Sequence, residues 1–191
     1  MRQLIHDKIA ASIATKQAVL ADLVLLQKIE QAARAMIDAF RADGKVLFCG
    51  NGGSAADAQH IAAELSGRFY TDRPPLFAEA LHVNSSYVTA VANDYGYEQV
   101  FARMVEAAGR PGDVLVAIST SGNSPSILQA VEKAASKGMK VVGMTGTSGG
   151  KMAERCHVLL NVPSTDTPRI QEVHILIGHI LCELVEKEIF G

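Results

Sequence analysis

Residues 114–125 read Val-Leu-Val-Ala-Ile-Ser-Thr-Ser-Gly-Asn-Ser-Pro and carry the strongest structural signal of the chain. The five apolar residues 114–118 predict a strand that is buried on both faces. A polar loop follows over 119–124. Pro125 then suits the first position of a helix, because its missing N–H would have no partner there. This strand–loop–helix succession is typical of a parallel α/β sheet.

The polar loop also indicates an anion site. Its four hydroxyl side chains belong to Ser119, Thr120, Ser121 and Ser124. They precede a predicted helix N-terminus, where free N–H groups and the positive end of the helix dipole point the same way. Such a loop suits the oxygens of a phosphate monoester. The alternative is a serine-rich turn that only caps the helix.

Short apolar runs and helical stretches alternate over the rest of the chain from residue 45. The predicted strands are 45–49, 77–83, 114–119, 140–145 and 157–162. The predicted helices between and beyond them are 54–67, 85–92, 97–108, 125–137, 150–154 and a last one that begins after Asp166 and runs to the C-terminus. The sequence therefore predicts one doubly wound, flavodoxin-like α/β domain over 1–191, with five parallel strands in the order 2-1-3-4-5.

The N-terminal part of the chain forms a separate helical pattern. Residues 1–43 contain neither Gly nor Pro, and a break near Asp22 predicts two helices. The first has apolar side chains at Leu4, Ile9 and Ile13 but precedes every strand on which it could pack. We therefore expect this extension to bury its apolar face partly against another subunit.

Composition excludes several classes of protein. The 191 residues are 48% hydrophobic and 20% charged, which is typical of a globular domain. Because 18 basic residues are balanced by 20 acidic ones, no nucleic-acid partner is expected. The N-terminus lacks the apolar core of a signal peptide, and no apolar stretch reaches about 20 residues, so we expect a cytoplasmic protein without a membrane partner. Three widely spaced cysteines argue against a disulfide scaffold.

A second glycine-rich loop, Gly-Asn-Gly-Gly-Ser at 50–54, follows the first predicted strand. In the order 2-1-3-4-5, strands 1 and 3 flank the switch point where ligands bind, so this loop should face the loop 119–124. The dinucleotide fingerprint fails at Ala55, and no Gly-Lys-Ser/Thr follows as in a Walker A loop. A small polar ligand is therefore expected rather than a nucleotide. The alternative is a turn that simply needs small residues.

Two pairs of polar residues could contribute to such a site. His60 and Glu64 lie four apart and so share one helix face, where they could bind a divalent metal or exchange protons. A hydrogen-bonded surface pair is the alternative. Asn93 and Asp94 could bind sugar hydroxyls, but the sequence alone favours a cap on the next helix.

The C-terminal helix carries Gln171, Glu172, His174 and His179 among apolar residues. Because buried polar groups need partners, these side chains are candidates for a site. His179 is the hardest to explain as a solvated residue, and a hydrogen-bonded core histidine is the alternative.

Five motifs then follow one another along the chain: Cys49–Ser54, His60-x-x-x-Glu64, Asn93-Asp94, Ser119–Ser124 and Arg169-Ile-Gln-Glu-x-His174. Together they resemble the bacterial phosphoheptose isomerases of the sugar isomerase (SIS) domain superfamily, over essentially the whole chain. The Ser/Thr loop is typical of the superfamily, and the combination of Glu64 with His179 is typical of the isomerases. One departure is Pro168, which stands where family members often have an Asp before the Arg.

The resemblance implies a reaction and an assembly. Family members convert sedoheptulose 7-phosphate to D-glycero-D-manno-heptose 7-phosphate, the first step toward heptose units of lipopolysaccharide or other surface glycans. They are homotetramers with one zinc per subunit, in an active site that subunits share.

The resemblance also implies roles for single residues. The phosphate would bind to Ser119, Thr120, Ser121 and Ser124. The sugar would contact Asn51, Gly52, Gly53, Glu64, Asn93, Asp94 and Gln171. The metal ligands would be His60, Glu64, Gln171 and His179, and the acid/base pair would be Glu64 and His179. Because Gln171 and His179 lie about 12 Å apart along a straight helix, we expect the ligands to come from two subunits.

Two other functions compete with the enzyme. Non-catalytic SIS relatives bind the replication initiator protein, and other SIS domains sense sugar phosphates in transcription regulators. Glu64 and His179 favour the isomerase over a binding protein, which would need neither side chain. The sequence contains no DNA-binding segment that would favour a regulator.

Overall fold

The computed structural model describes all residues from Met1 to Gly191. The strands are β1 Val46–Gly50, β2 Ala78–Ala80, β3 Val114–Ile118, β4 Lys140–Thr145 and β5 Val158–Asn161. The helices are α1 Arg2–Ala21, α2 Leu23–Arg41, α3 Gly53–Ser66, α4 Ser85–Tyr95, α5 Val100–Ala108, α6 Pro125–Ser136 and α7 Thr167–Phe190. Two 3₁₀ turns lie at Tyr97–Gln99 and Gly150–Met152.

The five strands form one parallel sheet in the order β2-β1-β3-β4-β5, which confirms the predicted topology. Every residue of β1 and β3 is buried, as their continuously apolar sequences predict. One apolar core lies between the sheet and α2, α3 and α7, and a second lies between the sheet and α4, α5 and α6. The sheet is thus covered on both faces, and the doubly wound fold is confirmed.

The structure differs from the prediction at three elements. β2 has three residues instead of 77–83, because this edge strand pairs only with Val46–Phe48 of β1. The predicted helix 150–154 is a 3₁₀ turn, since Gly149 and Gly150 adopt left-handed φ angles of 69° and 54°. α4 continues beyond residue 92 to Tyr95, which moves the Asn-Asp pair into its last turn.

The predicted break in the N-terminal helices is confirmed at Asp22, whose side chain accepts a hydrogen bond from Leu25 N at 3.0 Å. The two helices α1 and α2 meet there at an angle of 78°. α1 leaves Leu4, Ile9 and Ile13 more than half exposed. No single helix is both long enough and apolar enough to cross a membrane, and only the bent pair of α1 and α2 passes such a test.

Candidate active site

The two ligand loops begin side by side in the sheet. Gly50 at the end of β1 is paired with Ile118 at the end of β3, so both loops leave the sheet at the same edge. A hydrogen bond joins them, because Asn51 Nδ2 donates to Oγ of Ser126 in the first turn of α6 at 3.0 Å. The predicted meeting of the two loops is confirmed.

Glycine in the first loop allows a close approach of α7. Gly52 has a φ of 57°, which side-chain-bearing residues rarely adopt. A Cβ atom at Gly53 would lie only 2.6 Å from Nε2 of Gln171. The side chain of Gln171 therefore lies directly against this loop, at the start of α3.

The hydroxyls of the loop 119–124 do not cap the helix that follows it. Ser124 occupies the N-cap position of α6, but its side chain makes no capping hydrogen bond and lies 3.3 Å from Oγ of Ser119. The interpretation as a simple helix cap therefore does not describe this loop. Thr120 and Ser121 border a cavity of about 250 Å³, whose other walls carry the hydroxyls of Thr147, Ser148, Ser164, Thr165 and Thr167.

The end of β4 fixes the shape of this loop. Ser119 N donates to Met144 O at 3.0 Å, and Gly146 N donates to Thr120 O at 2.9 Å. Gly122 has a φ of 65° and closes the turn by donating to Ser119 O at 3.0 Å. The loop backbone is thus fixed by hydrogen bonds, while Ser121 Oγ accepts a hydrogen bond from Asn123 N at 3.2 Å.

Two helices bring a possible metal-binding group together. His60 and Glu64 lie on α3, with His60 Nε2 3.1 Å from Glu64 Oε1. His179 Nε2 on α7 lies 3.3 Å from His60 Nε2, and ligand atoms of all three residues lie within 4.8 Å of one another. The spacing along α3 thus pairs His60 with Glu64, and the packing of α7 on α3 brings His179 to the same place.

The donor set fits a zinc ion. Imidazole nitrogens and a carboxylate oxygen are ordinary zinc ligands, with bonds of about 2.0–2.2 Å. In a tetrahedral site such bonds place neighbouring ligand atoms about 3.3 Å apart, close to the 3.1 Å and 3.3 Å separations of these three side chains. Two neutral imidazole nitrogens that face each other also need a proton or a cation between them.

The sharing of metal ligands between two subunits stays a prediction, although His60, Glu64 and His179 already lie together within one chain. The physical reason is the close packing of α7 on α3, where a Cβ atom at Gly178 would lie 2.4 Å from Ile61 Cδ1. Gln171 is the exception among the predicted ligands. It lies against Gly53, about two helical turns before His179.

The predicted cap by Asn93 or Asp94 is wrong. Both are exposed in the last turn of α4, where Asn93 Nδ2 donates to Asp94 Oδ1 at 2.8 Å. Neither the 3₁₀ turn that follows nor α5 receives a side-chain cap. The prediction failed because it ended α4 at residue 92 instead of Tyr95. Since Asn93 and Asp94 cap no helix, both side chains remain available to a ligand.

Comparison with known proteins identifies the family. A model of the SIS domain matches residues 9–146. Phosphoheptose isomerase from Rhodospirillum rubrum is 60% identical over 83% of this chain and 84% of its own, and that from Aneurinibacillus thermoaerophilus is 53% identical over 100% and 96%. The chain belongs to the phosphoheptose isomerase family. The solved phosphoheptose isomerase from Neisseria gonorrhoeae superposes with a TM-score of 0.91 at 46% identity, over 97% of this chain and 98% of its own.

This membership confirms the resemblance drawn from the sequence motifs. The family does not by itself assign the metal, the assembly or the role of any single residue. Those assignments depend on the geometry of the site.

The segment 69–73, which follows α3, packs against the cluster, and the sequence did not predict this contact. The ring of Phe69 stacks on His179, with centroids 5.8 Å apart, and orients that imidazole. The buried carboxylate of Glu186 holds the segment by accepting hydrogen bonds from the backbone of Tyr70 and Thr71, each at 3.0 Å. Arg73 donates to Glu186 at 3.2 Å and to Glu64 O at 2.9 Å. This pairing joins α7 to the end of α3.

We expect Glu186→Gln to destabilise the protein by about 3 kcal/mol, because it leaves the guanidinium of Arg73 buried without its counter-charge. The side chains of the pair are only 5% and 2% exposed. Glu183→Gln is the matched control on the same helix, since Glu183 pairs with Lys187 at the surface and its loss should not change stability measurably. Urea unfolding of both variants tests this, and equal stability of the two would contradict it.

His174 has a structural role instead of a place in the cluster. Its side chain is fully buried, and Nε2 lies 3.2 Å from Thr145 O at the end of β4. Burial lowers the pKa of His174 to about 4, although the hydrogen bond to Thr145 opposes this shift. The ring is therefore neutral at neutral pH and ties α7 to the strand that shapes the anion loop.

The lowered pKa of His174 predicts a loss of stability in acid. Between pH 6.5 and 4 the unfolded state binds a proton that the folded state does not, so stability falls as the pH falls through this window, by about 2–3 kcal/mol. Urea unfolding at pH 7.5 and pH 4.5 should show that His174→Gln loses correspondingly less than wild type. His6→Gln, at an exposed position on α1, should keep the wild-type pH dependence. Parallel pH profiles of wild type and His174→Gln would refute this account.

Proposed function

We propose that this protein converts sedoheptulose 7-phosphate to D-glycero-D-manno-heptose 7-phosphate, the first step toward heptose units of a surface glycan. One observation carries the proposal: the hydroxyl-rich loop after β3 begins beside the loop after β1, and that loop leads into α3, which carries His60 and Glu64 of the cluster with His179. The names of relatives at 53–60% identity support the same reaction.

The substrate lies with its phosphate at Ser119, Thr120, Ser121 and Ser124, where hydroxyls and helix N–H groups meet. The open chain of the sugar then extends along the first loop toward the cluster. Its hydroxyls contact Asn51, Gly52, Gly53, Asn93, Asp94 and Gln171.

Isomerisation moves a proton between C1 and C2 of the sugar through an enediol, which requires a base near both carbons and a donor to their oxygens. Glu64 is the base, and its side chain is 28% exposed at the open side of the cluster. His179 exchanges the proton of the sugar oxygen and is oriented for this by the stacked ring of Phe69.

One zinc per subunit would be held by His60, Glu64 and His179, with Gln171 as the fourth residue of the set. When bound, zinc supplies a Lewis acid for negative charge on a sugar oxygen. Because a carboxylate that binds a cation is a weaker base, the two roles of Glu64 belong to alternative states of the site.

The exposed apolar side of α1 supports a homotetramer. Leu4, Ile5, Ile9 and Ile13 are between 52% and 60% exposed, and such a stripe on one helix is typical of a subunit contact. Light scattering should therefore give four times the chain mass of 20.3 kDa. A mass equal to that of one chain would contradict the tetramer.

The reaction is tested by incubating the purified protein with sedoheptulose 7-phosphate and following the sugar carbons by NMR. We expect signals of the heptose 7-phosphate to appear, and ketose phosphates with five or six carbons to react much more slowly. A protein that binds the sugar phosphate without forming product would instead be a sensor or a scaffold.

A further inference from the structure

The side-chain amide of Asn51 is held at both ends. Tyr97 donates its hydroxyl hydrogen to Asn51 Oδ1 at 2.8 Å, and Asn51 Nδ2 donates to Ser126 Oγ at 3.0 Å. Ser126 is buried at the start of α6. Asn51 therefore joins three parts of the site, namely the glycine loop, the helix that follows the anion loop and the 3₁₀ turn that follows α4.

The ring of Tyr97 is anchored so that its hydroxyl reaches Asn51. It meets the fully buried ring of Phe101 edge to face, with centroids 6.3 Å apart. Gly96, with a φ of 89°, ends α4 and turns the chain toward the glycine loop. Asn93 and Asp94 are exposed in the last turn of α4, directly before this glycine.

We propose that Tyr97 is a positioning residue of the sugar site, which holds the side-chain amide of Asn51 in place before the sugar phosphate binds. This inference rests on the proposed function and adds to it a residue outside the recognised motifs. The amide retains one N–H and one oxygen lone pair after its two internal hydrogen bonds, which is enough to bind a hydroxyl of a polyhydroxy chain.

Tyr97 should affect affinity more than rate. In this proposal the amide of Asn51 contacts the sugar before and during the reaction, so its placement contributes equally to the ground state and the transition state. The loss of one neutral hydrogen bond raises a dissociation constant by about fivefold. We therefore expect Tyr97→Phe to raise Kd and KM for sedoheptulose 7-phosphate about fivefold, with kcat within about twofold of wild type.

The test uses Tyr97→Phe and the matched variant Tyr95→Phe, which removes the hydroxyl of a neighbouring exposed ring that packs against Arg103. Calorimetry gives Kd for sedoheptulose 7-phosphate, and turnover gives KM and kcat. We expect Tyr95→Phe to match wild type, and Tyr97→Phe to have no further effect on Kd in an Asn51→Ala background. An unchanged Kd for Tyr97→Phe, or an equal additional loss in the Asn51→Ala background, would overturn the assignment.

The outcomes separate this inference from the proposed function. Wild-type turnover with an unchanged Kd for Tyr97→Phe keeps the isomerase and rejects the role of Tyr97. Binding without turnover, weakened by Tyr97→Phe, rejects the isomerase and keeps the role of Tyr97. A wild-type protein that neither binds nor converts the sugar phosphate rejects both.

Discussion

Glu64→Gln is expected to lower kcat for sedoheptulose 7-phosphate by about a thousandfold or more. The amide keeps the shape of the side chain but can neither take a proton from carbon nor bind a cation as a carboxylate does. A positioned base alone contributes about 10²–10⁴-fold to the rate. Stopped-time assays of product formation measure the effect, and the melting temperature shows whether the fold is kept.

Glu132→Gln is the matched control for this substitution. Glu132 pairs with Arg155 at the surface, and half of its side chain is exposed. Its loss should leave kcat unchanged. Turnover by Glu64→Gln within about tenfold of wild type would exclude Glu64 as the base. His179→Ala should likewise abolish turnover with the fold intact.

The second large loss of activity is expected when the metal is removed. His60→Ala takes away a ligand that lies between Glu64 and His179, at 3.1 Å and 3.3 Å from their ligand atoms. Glu64, His179 and Gln171 remain of the proposed set, but with only one imidazole they should hold zinc much more weakly. We therefore expect far less than one zinc per chain and a loss of activity of about a hundredfold or more. Elemental analysis of the purified variant measures the zinc directly.

His6→Ala provides the control, because His6 is an exposed histidine on α1, outside the cluster. It should retain the zinc content and activity of wild type. Full zinc occupancy in His60→Ala would show that the metal lies elsewhere in the protein.

Much of the fold was predictable because its strands have an unambiguous pattern. β1 and β3 are apolar along their whole length, and parallel strands buried on both faces require this. The short edge strand β2 was not predictable at its true length. Only its pairing partner decides where it ends, and the apolar residues that flank it continue the same pattern.

Local sequence was also misleading at the end of α4. Its polar residues suggested a corner with a cap, whereas Gly96 with its positive φ sets the true end of the helix three residues later. A glycine as a stop signal is visible in the sequence, and weighing it above the Asn-Asp pair would have placed the helix correctly.

The candidate site was predictable where one loop or one helix face carries it. The anion loop and the pair of His60 with Glu64 are of this kind. The contacts of Tyr97 with Asn51 and of Gly178 with Ile61 join residues far apart in sequence, and nothing in the local pattern marks them. The same holds for the approach of His179 to His60, which depends on how closely α7 packs on α3.

The most direct test of the whole account is turnover of sedoheptulose 7-phosphate by the wild-type protein before chelation, after chelation and after zinc is restored. The account predicts formation of D-glycero-D-manno-heptose 7-phosphate that chelation stops and zinc restores, with activity proportional to zinc up to one ion per chain. Turnover that continues unchanged without metal would contradict the metal site. Failure to form the product with zinc bound would contradict the isomerase.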